Sequence, residues 1–252
     1  MSDISADCIP EGYDAFSSHC AHNGGYSGVI TFLGSFSQHP KSTIYQRYDS
    51  DFVKSADMEG RVCFTFFDNC AILNVYFPCG SEEDSARCSF RERFYELIMD
   101  LVKIIKVDYP NCILLGDFNT AIACRIGWRL CYHPKSSSFY LAFMIRDGGC
   151  GMIDCFRALY PSERNAYSCF NTKLKGRINN FGTRIDYIVC TRPLRNCLVE
   201  CAIRSDVTGS DHLPVVAEFD FSVKSESSVV GLRSKVGEQP KILSFFRVNR
   251  RM

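Results

Sequence analysis

The sequence has no hydrophobic run long enough to cross a membrane. In 252 residues no apolar stretch approaches the roughly 18–20 that a spanning helix needs. The opening MSDISADCIPEGYD does not read as a secretory leader: it carries acids where a leader carries bases, and has no apolar centre. No two cysteines are spaced C-x-x-C. The nearest pair, Cys197 and Cys201, has three residues between them, so zinc-ligand spacing is absent. Charge of one sign is also lacking. The formal net charge is +1, which argues against a globally basic nucleic-acid binder. There is no internal repeat. With 46% hydrophobic and 23% charged residues, the chain is not a disordered one.

What is present in quantity is cysteine. Fifteen thiols in a long chain, odd in number and without a leader, predict reduced and mostly buried side chains in a cytosolic or nuclear protein rather than a disulfide framework. A chain of this length buries roughly 70–75% of its unfolded surface and needs no staples. The small net charge conceals an asymmetry. After Phe221 there are seven basic and two acidic residues, a net +5; the first 221 hold 22 basic and 26 acidic, a net −4. The body is mildly acidic and the tail basic, so binding of a polyanion needs a local basic patch or a metal.

Short apolar and β-branched runs alternate with turn signals. Residues 27–33, 61–67 and 71–77 read as strands, the second and third joined by a short turn into a hairpin. A helix is predicted over 85–106, where Phe90, Phe94, Leu97, Ile98, Leu101 and Ile105 follow helical spacing. Residues 111–115 form a continuous apolar run, expected to be a strand buried on both faces; 184–190, 197–203 and 213–221 suggest three more strands. The stretch 121–150 is poorly patterned and reads as a long surface insertion. The expected architecture is α/β, with a domain over 1–221 and a flexible basic tail over 222–252.

Four places carry chemistry. At Leu115-Gly-Asp117-Phe-Asn119 a strand ends in glycine and presents a carboxylate and an amide two residues apart, which alternation would send the same way; a plain strand-ending turn has the same composition. At Ser210-Asp211-His212 an acid and an imidazole stand before a strand, as a strand cap with a surface histidine also would. Asp186 sits in an otherwise apolar strand, where a carboxylate needs a partner; His212 would suit, and Arg184 is the alternative. Tyr76 ends a strand shortly before Pro78, so its hydroxyl could meet a phosphate, or the ring could simply serve the core.

Tyr, Asp-x-Asn, Asp and Asp-His, in that order at four strand ends, resemble the endonuclease/exonuclease/phosphatase superfamily over about residues 24–221. Asp57-Met-Glu-Gly-Arg-Val62, Asn180-Phe-Gly-Thr-Arg-Ile-Asp-Tyr187 and Gly25-Tyr-Ser-Gly-Val29 narrow the resemblance to the exonuclease III-type apurinic/apyrimidinic (AP) endonucleases, and among these to the second eukaryotic AP endonucleases. The resemblance implies a four-layered α/β sandwich of two packed mixed sheets flanked by helices. It implies Asp117 as proton acceptor from water, Asn119 orienting that water, His212 held by Asp186 against the scissile phosphate, and Tyr76 bonded to it. Mg²⁺, with Mn²⁺ as substitute, would be held among Asp117, Asn119, Asp211 and His212. Arg91, Phe170, Lys173 and Arg177, with Arg87 and Lys175 beside them, are candidate DNA contacts; a solvated face explains the cations equally well.

The tail reads Gln239-Pro-Lys-Ile242-Leu-Ser-Phe245-Phe246 over 239–246, and resembles the box by which proteins bind the sliding clamp PCNA. Ile242, Phe245 and Phe246 share one side of a single helical turn, with Gln239 available for a hydrogen bond. The expected partners are DNA with abasic sites or blocked 3′ ends and the clamp, with no membrane; the protein is expected to be a monomer in the nucleus, with cytoplasm and mitochondrion as alternatives.

In that superfamily a first strand bears an Asn, and a second, in a Gln-Glu-Thr-Lys context, bears the main metal-ligand Glu. Neither is in this sequence, and Asp3 and Glu11 do not stand in that motif. An incomplete N-terminus lacking two core strands is therefore expected. The leading reading is a DNA-repair nuclease, cutting 5′ to abasic sites and trimming damaged 3′ ends as 3′–5′ exonuclease or phosphodiesterase. The alternative is a catalytically impaired clamp-binding protein. A retroelement endonuclease or an inositol-phosphate phosphatase fits the narrower motifs less well.

Overall fold

The computed structural model describes residues 8–34, 50–67, 70–80, 84–122, 137–145 and 149–222. The clamp-box residues 239–246 and most of the tail lie outside them, as do residues 68 and 69 of the predicted hairpin turn. Along the chain the elements are β1 (Asp14–Ser18), β2 (Val29–Leu33), α1 (Ser50–Met58), β3 (Val62–Phe66), β4 (Cys70–Val75), α2 (Ser85–Asp108), β5 (Asn111–Asp117), α3 (Ser137–Ile145), β6 (Met152–Asp154), α4 (Cys155–Leu159), β7 (Cys169–Phe170), β8 (Gly182–Thr183), β9 (Asp186–Thr191), β10 (Leu198–Ile203) and β11 (Val215–Phe219). This is a mixed α/β fold with several sheets.

Helix α2 follows the predicted spacing. Phe94, Leu97, Ile98, Leu101 and Ile105 are buried while Arg93, Glu96 and Lys103 face out. Asp84 caps its start, its Oδ1 accepting from the Arg87 N–H at 2.8 Å. Pro110 follows its end, and the residue before a proline is driven out of helical geometry.

The described residues fall into two compact units. One draws on Met1–Tyr76 and Asp100–Cys112, the other on Phe77–Met99 and Ile113–Val229. In the first, β1 and β2 pair antiparallel with Ala15 opposite Phe32, and β3 and β4 pair antiparallel with Val62 opposite Val75. Every residue of β3 is buried. Asn74 ties the two hairpins together, its Nδ2 donating to the Ile30 carbonyl at 2.9 Å. The glycine of the Asp57–Val62 motif has a geometric cause. Gly60 has φ +63°, and a Cβ there would lie 2.2 Å from the backbone carbon of His19, so only glycine fits. Arg61 beside it is 2% exposed and paired with Glu59.

In the second unit β9 lies between β5 and β6, antiparallel to both. Its core is aromatic: Phe77 stacks on Tyr95 at 4.3 Å and on Phe118 at 4.6 Å, and Phe118 meets Tyr187 edge-on at 5.2 Å. Strand β10 pairs with β11, and the two-residue strands β7 and β8 pair with each other. The reading of 121–150 as a surface insertion is corrected where it is described: α3 lies there, with Leu141 and Met144 fully buried. A helix apolar on all sides has no amphipathic signature, so the periodicity was silent.

Every described cysteine is a free thiol, and eight are buried. Burial raises the Cys63 thiol to about 11 and those of Cys70 and Cys201 to about 12, so these behave as small core hydrophobes rather than nucleophiles.

Candidate active site

The site is assembled at one end of the β5–β9 ladder. Asp117, the last residue of β5, stands directly opposite Asp186, the first of β9. Carboxylates paired across a ladder repel, so the position calls for a cation. His212 answers in part: its Nδ1 lies 2.9 and 3.1 Å from the two Asp186 oxygens. One donor atom each from Asp117, Asp186 and His212 lie within 4.8 Å of one another. The Asp186 hydrogen bond raises the His212 pKa above the ordinary histidine value, against the opposing effect of burial.

The loop bearing His212 is zipped to its neighbours by backbone bonds. Phe170 N–H donates to the Asp211 carbonyl at 2.9 Å and Leu213 N–H to the Ser168 carbonyl at 2.7 Å. Cys169 bridges His212 on one side and pairs with Thr183 of β8 on the other. The chain then runs from β8 through Arg184 and Ile185 into Asp186.

Asn119 arrives by a different route from the alternation argument. The strand ends at Asp117 and the chain turns, with Asn119 at φ 48° in the left-handed region. Its N–H donates to Asp117 Oδ1 at 2.7 Å, an Asx-type turn, and its Nδ2 donates to the Phe77 carbonyl at 2.9 Å. The amide thus braces the Asp117 carboxylate from its own backbone. Asp211 is exposed and its carboxylate stays outside the group of three; Asp186 supplies the other oxygen. The Arg184 alternative is excluded: Arg184 pairs with Asp154 through Nη2 at 2.6 Å and Nη1 at 3.1 Å, both side chains buried.

Tyr76 belongs to the first unit. It is half-buried, with the Arg61 guanidinium 4.7 Å over its ring and Arg61 Nη1 donating to its carbonyl at 3.1 Å. Among the candidate DNA contacts Lys173 and Lys175 are exposed cations. Arg91 donates through Nη1 to the Gly80 carbonyl at 3.3 Å, and Arg177 donates through Nη2 to the carbonyls of Ser205 and Val207; these guanidinium groups serve the protein's own backbone. Phe170 is 7% exposed and lies in the wall of a cavity of about 450 Å³, not on an open stacking platform.

Sequence reading missed Ser168. It is completely buried; its hydroxyl donates to Asp186 Oδ2 at 2.7 Å and accepts the Ile185 and Asp186 N–H groups, each at 3.0 Å. One serine between a tyrosine and a cysteine carries no sequence signal.

Two carboxylates opposed on a ladder, with an imidazole held by one of them, form a group that could hold a metal ion. The sequence profile of the Endonuclease/Exonuclease/phosphatase family matches residues 10–212, and the chain belongs to that family. An exodeoxyribonuclease of Bacillus subtilis (strain 168) is 30% identical over 222 residues, covering 85% of this chain and 82% of its own. DNA-(apurinic or apyrimidinic site) endonuclease 2 of Xenopus laevis is 27% identical over 291 residues, covering 94% of this chain and 56% of its own. The crystal structure of the Xenopus laevis APE2 catalytic domain aligns with a TM-score of 0.72 at 27% identity, over 86% of this chain and 80% of that one. The chain thus has the endonuclease/exonuclease/phosphatase fold and is of the exodeoxyribonuclease and AP endonuclease type. It spans about half the length of the endonuclease 2 relatives.

Proposed function

We propose that this protein hydrolyses phosphodiester bonds in DNA at abasic sites and damaged 3′ ends, as an AP endonuclease with 3′–5′ exonuclease or 3′-phosphodiesterase action. The observation that carries the proposal is the convergence of Asp117, Asp186 and His212. Asp117 is the proton acceptor for the attacking water, and Asn119 orients that carboxylate and the water. Asp186 holds His212 by Nδ1 and keeps the imidazole ready to meet the phosphate through Nε2. The facing carboxylates of Asp117 and Asp186 would hold Mg²⁺, or Mn²⁺ in its place, and the ion when bound would offset the phosphate charge. Lys173 steers the DNA backbone. The basic tail over 222–252 recruits the enzyme to a PCNA-type clamp in the nucleus through its box at 239–246.

The test is cleavage of a duplex with one abasic analogue in Mg²⁺. Asp117→Ala is expected to lower the rate by about 10²–10⁴-fold, the usual worth of a general base. Equal cleavage by both proteins refutes the assignment. Absence of cleavage by either leaves clamp binding as the remaining function. For the tail, Phe245→Ala with Phe246→Ala should abolish clamp pull-down, and persistent binding removes the box.

A further inference from the structure

We propose that Ser168 is a positioning residue for the reaction, acting through Asp186 on His212; this rests on the proposed function. A serine hydroxyl has one proton to give and two lone pairs to accept with. Ser168 uses all three: it donates to Asp186 Oδ2 at 2.7 Å and accepts from the N–H groups of Ile185 and Asp186, each at 3.0 Å. Its backbone is committed as well. The N–H donates to the Thr183 carbonyl at 2.9 Å, and the carbonyl accepts from Leu213 N–H at 2.7 Å. Ser168 therefore stands between the two segments that carry the acid and the imidazole, bonded to both.

The consequence is orientational. Asp186 Oδ2 is shared between the Ser168 hydroxyl and His212 Nδ1. Two donors converging on one oxygen hold the carboxylate in a single rotamer and hold the Nδ1–H tautomer of His212. Because Ser168 is wholly buried and its hydroxyl is saturated, it does not touch substrate. Neither alanine nor cysteine meets the same demand. Alanine removes the acceptor of the part-buried Ile185 and Asp186 N–H groups, and cysteine is a weak donor and acceptor.

The experiment compares Ser168→Ala, Ser168→Thr and Ser168→Cys in the full chain, each alone and with Asp186→Asn. With the abasic duplex, Ser168→Ala and Ser168→Cys should lower kcat by about 10–100-fold, the range for groups that orient a site's own ligands, with KM within about twofold. Ser168→Thr, which keeps the hydroxyl, should recover most of the loss. In the Asp186→Asn background Ser168→Ala should cost less than about twofold, since its route to His212 has gone. A fall in thermal stability with kcat unchanged, or additive losses in the double variant, overturns the proposal. A second measurement does not need activity. Imidazole ¹⁵N shifts of His212 should report one Nδ1–H tautomer in the wild type and a tautomer mixture in Ser168→Cys. An unchanged tautomer overturns the positioning role even if the protein cuts DNA. A shifted tautomer in a protein that does not cut supports the role while removing the nuclease reading. If Ser168→Ala fails to fold, the threonine and cysteine pair carries both readouts.

Discussion

The pair Arg184–Asp154 offers the sharpest test of how this site is built. The two side chains meet in a double hydrogen bond at 2.6 and 3.1 Å, with the residues 9% and 5% exposed. The guanidinium also lies 4.4 Å over the Tyr187 ring and 5.5 Å over that of Phe156. Asp154 has a further duty: its Oδ1 caps α4 by accepting from Arg157 N–H at 3.2 Å. Replacing Arg184 by Met removes one charge and leaves the other buried with little more than that cap to satisfy it. Breaking a buried pair from one side costs about 3–5 kcal/mol. With a urea dependence of about 2 kcal/mol per molar, the unfolding midpoint should fall by about 1.5–2.5 M. Arg184→Met with Asp154→Asn removes both charges. It should recover most of the loss, because a buried pair exchanged for neutral groups is often close to neutral in stability. The double-mutant cycle should therefore give a coupling of at least about 3 kcal/mol. Urea unfolding followed by fluorescence and far-UV circular dichroism measures all four proteins. A midpoint shift below about 0.5 M for Arg184→Met, or strict additivity, refutes the reasoning. If Arg184 instead served Asp186, the coupling would appear in a cycle with Asp186→Asn and be absent from the Asp154 cycle.

Two further outcomes follow from the same coordinates. Because Asp186 raises the His212 pKa, that contact favours protonated His212 in the folded state. Its stabilisation is fully present below the unfolded histidine value of about 6.5 and is lost as pH rises through the raised folded pKa. In metal-free buffer the stability gap between wild type and Asp186→Asn should therefore narrow from pH 5.5 to pH 9; a gap that stays constant with pH would falsify the assignment. Gly60→Ala combines a left-handed φ, worth roughly 1–2 kcal/mol, with a Cβ 2.2 Å from backbone, worth at least another 1–3. Thermal unfolding should show a loss of at least about 2 kcal/mol, and a variant within 0.5 kcal/mol of wild type (roughly the scatter of a neutral surface change) would show that His19 does not crowd this turn.

The elements that could be read in advance were those whose burial is one-sided or continuous. Helix α2 separates its apolar and charged faces, and β5 begins with four buried residues. Asp186 was legible as a paired carboxylate because it interrupts an apolar strand. Helix α3 was hidden by its uniform apolarity, and β6, β7 and β8, of two or three residues each, are too short for any period to register. The choice between His212 and Arg184 as partner of Asp186 needed coordinates, since Asp154 lies 30 residues from Arg184.

The linear chain by itself determined which chemistry is available: the carboxylates, the imidazole, the phenol, the tail box and the glycine whose φ the turn demands. These depend on residue type and local geometry alone. Folding alone decided that Asp117 faces Asp186 across a ladder, that a silent serine joins the acid to the histidine's neighbours, and that Arg91 and Arg177 donate to backbone carbonyls. Register and hydrogen-bond partnership join positions far apart in sequence, and only the packed chain brings such positions together.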